Sequence, residues 1–230
     1  MSLLEIKNLT HGYVDGNKKR NILNELSYTF EKGKLYTILG SSGSGKTTLL
    51  SLIGALEKIQ EGEIYYEDKS IKEIGYTKYR RNYISVVFQQ YNLIPYLTGL
   101  ENVLNIMNIT DKDLPKPYEK TALNLLNMLG IVETKAKRSI STLSGGEQQR
   151  VAIARALATN VDVIIADEPT GNLDTETEKE IVSIFNKLAK EYNKCIIIVT
   201  HSNEVTNYSD ISLKLQDGKL IELGNGGQNG

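Results

Sequence analysis

The chain has almost no cysteine, no apolar stretch long enough to cross a membrane and no surplus of charge of either sign. A single cysteine among 230 residues, Cys195, excludes a disulfide framework. Its place in Cys195-Ile196-Ile197-Ile198-Val199 reads as a buried thiol rather than a redox or metal group. No run approaches the roughly 18 apolar residues of a membrane span. Met1-Ser2-Leu3-Leu4-Glu5-Ile6-Lys7 lacks the long apolar core of a signal peptide, so a cytoplasmic location is expected. Lys and Arg number 27 against 28 Asp and Glu, a formal net charge of −1. No overall basic field exists, and nucleic acid is not expected as a partner. There is no internal repeat. At 40% hydrophobic and 24% charged residues, the composition is that of an ordinary soluble protein with a real core.

What is present is a glycine-rich turn, Gly40-Ser41-Ser42-Gly43-Ser44-Gly45-Lys46-Thr47, between a strand and a helix. Leu35 to Leu39 is a short apolar run. Leu49, Leu50, Ile53 and Leu56 recur at helical spacing after the turn. That is the context of a phosphate-binding loop, or P-loop. Its glycines let successive N–H groups point inward, and the helix start offers its unpaired N–H groups to the same anion. Lys46 then reaches the outer phosphates, and the Thr47 hydroxyl holds Mg²⁺. Thr48 follows in the first turn of the helix.

Tyr83 to Phe88, Val161 to Asp167 and Cys195 to His201 are nearly continuous apolar runs, as in parallel strands covered on both faces. Leu26, Tyr28 and Phe30 alternate, as do Ile211, Leu213 and Leu215 before the Asp217-Gly218 turn and Lys219 to Leu223. Both alternating segments are expected in a more exposed antiparallel sheet. Ile181, Ile184, Phe185 and Leu188 predict a helix between Asp174 and Lys190, with acidic residues in its first turn. From about Tyr91 to Ser141 there are three of the four prolines and helical spacing at Leu123, Leu126 and Leu129. This reads as an inserted helical lobe, taken as residues 91–145 within a unit of residues 1–223. Residues 224–230 have nothing apolar to bury and are expected to be a flexible tail.

Val161-Asp162-Val163-Ile164-Ile165-Ala166-Asp167-Glu168 ends in two carboxylates, where open α/β sheets place ligands. Asp167 would bind Mg²⁺ directly or through water. Glu168 would accept a proton from the water attacking the γ-phosphate. Leu143-Ser144-Gly145-Gly146-Glu147-Gln148-Gln149-Arg150 is a second glycine-rich turn, opening another helix. It has the look of another anion site, yet one nucleotide cannot easily use two helix starts from distant parts of one chain. A partner subunit resolves the conflict.

Taken together, Gly40 to Thr47, Gln89, Leu143 to Arg150, Asp167-Glu168, Asp174 and His201 resemble the nucleotide-binding subunit of ATP-binding cassette (ABC) transporters, in order and across nearly the whole chain. The resemblance implies an α/β P-loop NTPase with a mixed sheet core, an antiparallel β subdomain and an inserted α-helical lobe. It implies ATP and Mg²⁺ as cofactors and an active ATPase. Ser144, Gly145 and Gly146 then match the signature motif, which contacts the γ-phosphate bound to the opposite subunit. His201 matches the switch histidine. Gln89 matches the Q-loop glutamine, which senses Mg²⁺ and the attacking water. Asp174 matches the D-loop at the dimer seam, and Tyr13 the aromatic residue that stacks on adenine.

Two copies are thus expected to close head to tail on two Mg·ATP and to drive a separate integral membrane permease. The permease is expected at the cleft near Gln89 to Leu100, with the chain peripheral on the inner face of the cell membrane. Asp167-Glu168-Pro169-Thr170-Gly171-Asn172-Leu173-Asp174 resembles the lipoprotein-release, macrolide-export and antimicrobial-peptide-resistance subgroup, which implies a peptide, lipopeptide or lipid-linked cargo. A cell-division type that signals through a membrane partner is the first alternative, and a soluble ABC ATPase the second.

Overall fold

The computed structural model describes residues 2–15 and 18–223. Along the chain, β1 is Ser2–Asp15, β2 Lys18–Glu31 and β3 Leu35–Leu39, followed by α1, Lys46–Ile53. Next come β4, Glu61–Tyr66, β5, Lys69–Ser70, α2, Ile71–Ile74, α3, Tyr76–Asn82, and β6, Ile84–Val87. Helices α4, Gly99–Met107, α5, Tyr118–Met128, and α6, Glu133–Ala136, precede α7, Gly145–Leu157. The chain then runs through β7, Val163–Asp167, α8, Thr175–Tyr192, and β8, Cys195–Thr200, to a hairpin of β9, Ile211–Gln216, and β10, Lys219–Leu223.

Two sheets result. One is antiparallel, in the order β2-β1-β4-β5, and the other has six strands in the order β10-β9-β3-β8-β7-β6. Within the second, β9, β3, β8, β7 and β6 are all parallel and only β10 runs against its neighbour. The central strands are mostly apolar because they are buried on both faces, and the buried Thr37 of β3 is hydrogen-bonded to Ser209 and Ser212. Alternate residues enter different cores: Ile164, Ile196 and Ile198 join α7, α8 and the helices of residues 99–136. Ile165, Ile197 and Val199 join α1 and the antiparallel sheet through Leu4, Ile6, Leu26 and Phe30.

The hairpin β9–β10 lies in the mixed sheet, against the expectation that it belongs to the antiparallel one. Strand β9 pairs in parallel with β3, from Tyr36↔Ile211 to Leu39↔Lys214. Leu213 and Leu215 enter the core while Lys214 and Gln216 are exposed, so it alternates as a one-sided strand does in either kind of sheet. Asp217 and Gly218 take φ of 51° and 76°, the left-handed pair a two-residue hairpin turn requires. Helix α1 is shorter than the leucine spacing suggests. It is capped at Gly54, and Leu56 lies beyond it, half exposed.

The predicted helix after Asp174 is α8, which connects β7 to β8. Between β6 and α7 the described residues form three α-helices, a short 3-10 helix, Ile140–Thr142, and one isolated bridge, Thr98↔Ser139. Helix α4 starts at a reciprocal cap: Glu101 N–H donates to Thr98 Oγ1 at 3.1 Å, and Thr98 N–H donates to Glu101 Oε2 at 2.8 Å. The expected tail, residues 224–230, lies outside the described residues.

Because Ile197 and Ile198 are each fully buried, in separate cores, Ile197→Ala and Ile198→Ala should each cost about 2–5 kcal/mol in denaturant unfolding.

Candidate functional site

Four adjacent parallel strands end at one edge of the mixed sheet, and each is followed by a candidate residue. Strand β3 leads into Gly40 to Thr47, β8 into His201, β7 ends at Asp167 and leads into Glu168, and β6 leads to Gln89. Tyr13 comes from the antiparallel sheet. Tyr13, Ser42, Gly43, Gly45, Lys46, Thr47, Thr48, Gln89, Glu168 and His201 line one pocket of about 460 Å³, together with Ile22 of β2.

Local backbone geometry builds the phosphate cradle. Gly45, the N-cap of α1, has φ of 101°, and a Cβ there would lie 2.5 Å from Ile22 Cγ2, so only glycine fits. Lys46 is buried, and its Nζ donates to Gly40 O at 2.7 Å and Ser41 O at 3.1 Å, folding the ammonium back over the loop. Ser44 N–H donates to Ser41 O at 3.1 Å, tightening the turn. Ser41, Gly43 and Ser44 also border a neighbouring cleft with Arg20 and Lys214.

The acidic side is equally constrained. Glu168 takes a left-handed φ of 45°, and its N–H donates to Val199 O at 2.9 Å, tying it to β8. Its Oε2 stands 2.5 Å from His201 Nδ1. Gln89 Nε2 and Glu168 Oε2 approach Gly171 so closely that a side chain there would touch both. Burial raises the pKa of the Asp167 carboxyl above its ordinary value. The adjacent Glu168 adds to this and Lys46 opposes it.

A hydroxyl, one or two carboxylates and a lysine converging beside an N–H-lined turn suit Mg²⁺ carried in with phosphates, since that ion keeps waters and needs few protein ligands. The donor set and the glycine-only cradle therefore fit a Mg-nucleotide.

Ser144, Gly145, Gly146 and Asp174 do not line this pocket. Ser144 caps α7: its Oγ accepts from Glu147 N–H at 3.3 Å, and Glu147 Oε2 accepts from Ser144 N–H at 2.9 Å. Glu147 is held from the other side by Lys135 Nζ, 2.5 Å from Oε1. The lysine, then the Ser144 N–H, keep its carboxyl below the usual range. Ser144 stands exposed at this cap, its hydroxyl as well as its N–H facing the Glu147 carboxylate. Asp174 caps α8, accepting from Glu176 N–H, Thr177 N–H and Thr177 Oγ1, hydrogen bonds that lower its pKa. Thr177 in turn abuts Gly146, where a Cβ would come within 2.7 Å of its methyl. The two turns thus form one face, separate from the pocket.

Sequence reasoning singled out neither Lys135 nor Arg155. Arg155 donates to Asn92 O at 2.6 Å and Tyr91 O at 3.0 Å, gripping two residues with φ of 46° and 60° just after Gln89. Tyr91 Oη lies beside Gly145 at the other end of the same helix. No local pattern announces contacts across more than sixty residues. The Ser144-x-x-Glu147 spacing, by contrast, is a readable capping box.

A family profile described as ABC transporter matches residues 23–171. The ABC transporter ATP-binding protein YclH of Bacillus subtilis is 48% identical over 220 residues, covering 96% of each chain. The lipoprotein-releasing system ATP-binding protein LolD of Rickettsia bellii is 39% identical, over 95% of this chain and 97% of its own. Among solved structures, the dimeric cassette MJ0796, from Methanocaldococcus jannaschii, superposes with a TM-score of 0.87 at 39% identity, covering 96% of this chain and 98% of that one. A second dimeric structure of MJ0796, bound to ADP and Pi, gives a TM-score of 0.86 at 37% identity.

The raised Asp167 pKa has a stability consequence with a definite sign. A carboxyl with a raised folded pKa contributes most in acid, and that contribution is lost as pH rises through the folded pKa. Asp167→Asn is therefore expected to raise the Tm of the ligand-free protein by roughly 2–4 °C at pH 8, a gain that narrows as pH falls toward the folded pKa. Calorimetry across that pH range checks this, and added Mg²⁺ and nucleotide should stabilise the unsubstituted protein more than the variant.

Proposed function

Because this chain belongs to the ABC transporter family, as one of its ATP-binding, ATP-hydrolysing subunits, we propose that two copies share each nucleotide between unlike surfaces. The P-loop pocket of one chain supplies the first surface, and Ser144, Gly145 and Gly146 of the other supply the second. The observation that carries this is the separation of the two within one chain: the Ser144 face lies outside the pocket that Lys46, Glu168 and His201 line. Subunits of this family pair with membrane permeases and dimerise, and the MJ0796 cassette is dimeric in its structure.

In this reading Gly40 to Thr48 present backbone N–H groups to the phosphates, and Lys46 turns from its own loop carbonyls to the outer phosphates. Tyr13 stacks on adenine. Thr47, Asp167 and Gln89 would hold Mg²⁺, which neutralises charge on the terminal phosphate oxygens. Glu168 takes the proton of the attacking water. His201, whose Nδ1 lies 2.5 Å from Glu168 Oε2, orients that carboxylate and faces the γ-phosphate. Ser144 turns its hydroxyl from Glu147 to the γ-phosphate across the interface, and Asp174 sits at the seam. Loss of that phosphate removes what both surfaces hold, and the subunits part.

Among the described residues no helix is long and apolar enough to cross a membrane. As in transporters of this family, mechanical output goes in this reading to the permease, with the chain on the inner membrane face. The permease docks where core and helical lobe, residues 91–145, leave a groove of about 270 Å³. Leu56, Phe88, Ile94 and Ile106 line it, with Arg80 and Arg155. Tyr96, 83% exposed, stands close in sequence to this groove. The LolD relatives support a peptide, lipopeptide or lipid-linked cargo.

Glu168→Gln is expected to retain ATP binding, to lower turnover about 10²–10⁴-fold and to accumulate as a dimer with Mg·ATP in solution scattering. Adding Ser144→Arg should return that variant to monomers with nucleotide still bound; persistence of the dimer refutes the shared site. Affinity purification from membranes is expected to bring down a multi-spanning protein with a large extracytoplasmic domain.

A further inference from the structure

His11 is 1% exposed, titratable and unused by the proposed mechanism, yet it is bound to a residue that is also bound to Tyr13. Glu57 lies four residues past the end of α1. Its Oε1 is 3.1 Å from His11 Nε2, and its Oε2 accepts from the Tyr13 hydroxyl at 3.0 Å. Nε2 thus faces the carboxylate, and the other ring nitrogen, Nδ1, is buried without a partner. The phenol has one proton and gives it to Glu57. Thr48 Oγ1, 3.4 Å away in the first turn of α1, is then left to donate to the phenol oxygen. The His11 ring packs edge-on against Tyr13, with centroids 5.2 Å apart at 73°.

The residue between them is gripped as well. Gly12 N–H donates to Gln60 Oε1 at 3.1 Å, and Gln60 Nε2 donates to Gly12 O at 2.9 Å. A Cβ on Gly12 would fall 2.6 Å from Arg20 O, so the strand is pressed flat against β2 at this point. Three consecutive residues, His11 to Tyr13, are thus held by side chains of the segment that follows α1. The helix whose start cradles phosphate continues into a segment that fixes the ring proposed to meet the base.

We propose that Glu57 is a positioning residue for nucleotide recognition, holding the Tyr13 ring at a fixed distance and tilt from the phosphate loop through its hydroxyl. This rests on the reading that Tyr13 stacks on adenine. A preorganised ring binds the base without first losing rotamer freedom, and an unanchored exposed tyrosine must order itself on binding. Thr48 and His11 support the same pose from the helix and from the strand.

Calorimetric titration of the full chain with Mg·ADP and, separately, Mg·pyrophosphate tests this, since neither is turned over and only ADP carries a base. Glu57→Ala is expected to weaken ADP about fivefold while pyrophosphate stays within about twofold. Glu57→Gln keeps a partner for the phenol and should recover most of the loss. Tyr13→Phe should match Glu57→Ala, and combining the two should cost no more than either alone. Unchanged ADP affinity in Glu57→Ala, with Tyr13→Ala weakened, overturns the positioning role and leaves stacking intact. Unchanged affinity in Tyr13→Ala overturns the stacking reading itself. An equal loss for pyrophosphate in Glu57→Ala also overturns the proposal, because it shows damage to α1 and its loop.

Discussion

The side-by-side parallel packing of β3, β8, β7 and β6 is the constraint on which the rest depends. Parallel strands all finish at the same edge, so the residues that follow each one meet there whatever their distance in sequence. Gln89, Glu168 and His201 are drawn to Lys46 in this way, from strands whose order in the sheet differs from their order in the chain. That arrangement holds because the central strands are mostly apolar and are sandwiched between two separate cores. Chemistry at the edge is thereby paid for by burial along the strands.

The edge itself is locally unfavourable. Two consecutive carboxylates, one of them partly buried and pushed toward its neutral form, stand beside a lysine that bonds to backbone carbonyls rather than to either of them. Glu168 also sits in a left-handed backbone conformation. Such strain persists where surrounding structure over-determines it, as the bond from Glu168 N–H to β8 does here. The counter-charges that would relax it are those of a magnesium nucleotide.

Much of this was legible in the sequence, for identifiable reasons. The glycine-rich turn, the strand ending in Asp167-Glu168 and the helix after Asp174 are signalled by contiguous residues, and the structure places each as the pattern implies. The β9–β10 hairpin was visible as a hairpin but not as part of the mixed sheet, because alternation reports one buried face and not which sheet owns it. The helix of Leu49 to Ile53 stops short of Leu56, since glycine at position 54 ends it. The grip of Glu57 and Gln60 on His11 to Tyr13 joins residues more than forty apart through side chains of ordinary type, leaving no local trace.

Tyr91 lies along α7 with its hydroxyl beside Gly145 and its carbonyl bonded to Arg155 ten residues further on. A helical span of ten residues is about 15 Å, and it is stiff on that scale. The turn that opens the helix and the loop that follows Gln89 are therefore braced to a common strut. A tilt imposed at the exposed serine must swing the groove-side loop along with it or tear two bonds from a largely desolvated guanidinium. Contact made at one side of the molecule is in this way felt as displacement at another, without any element having to unfold.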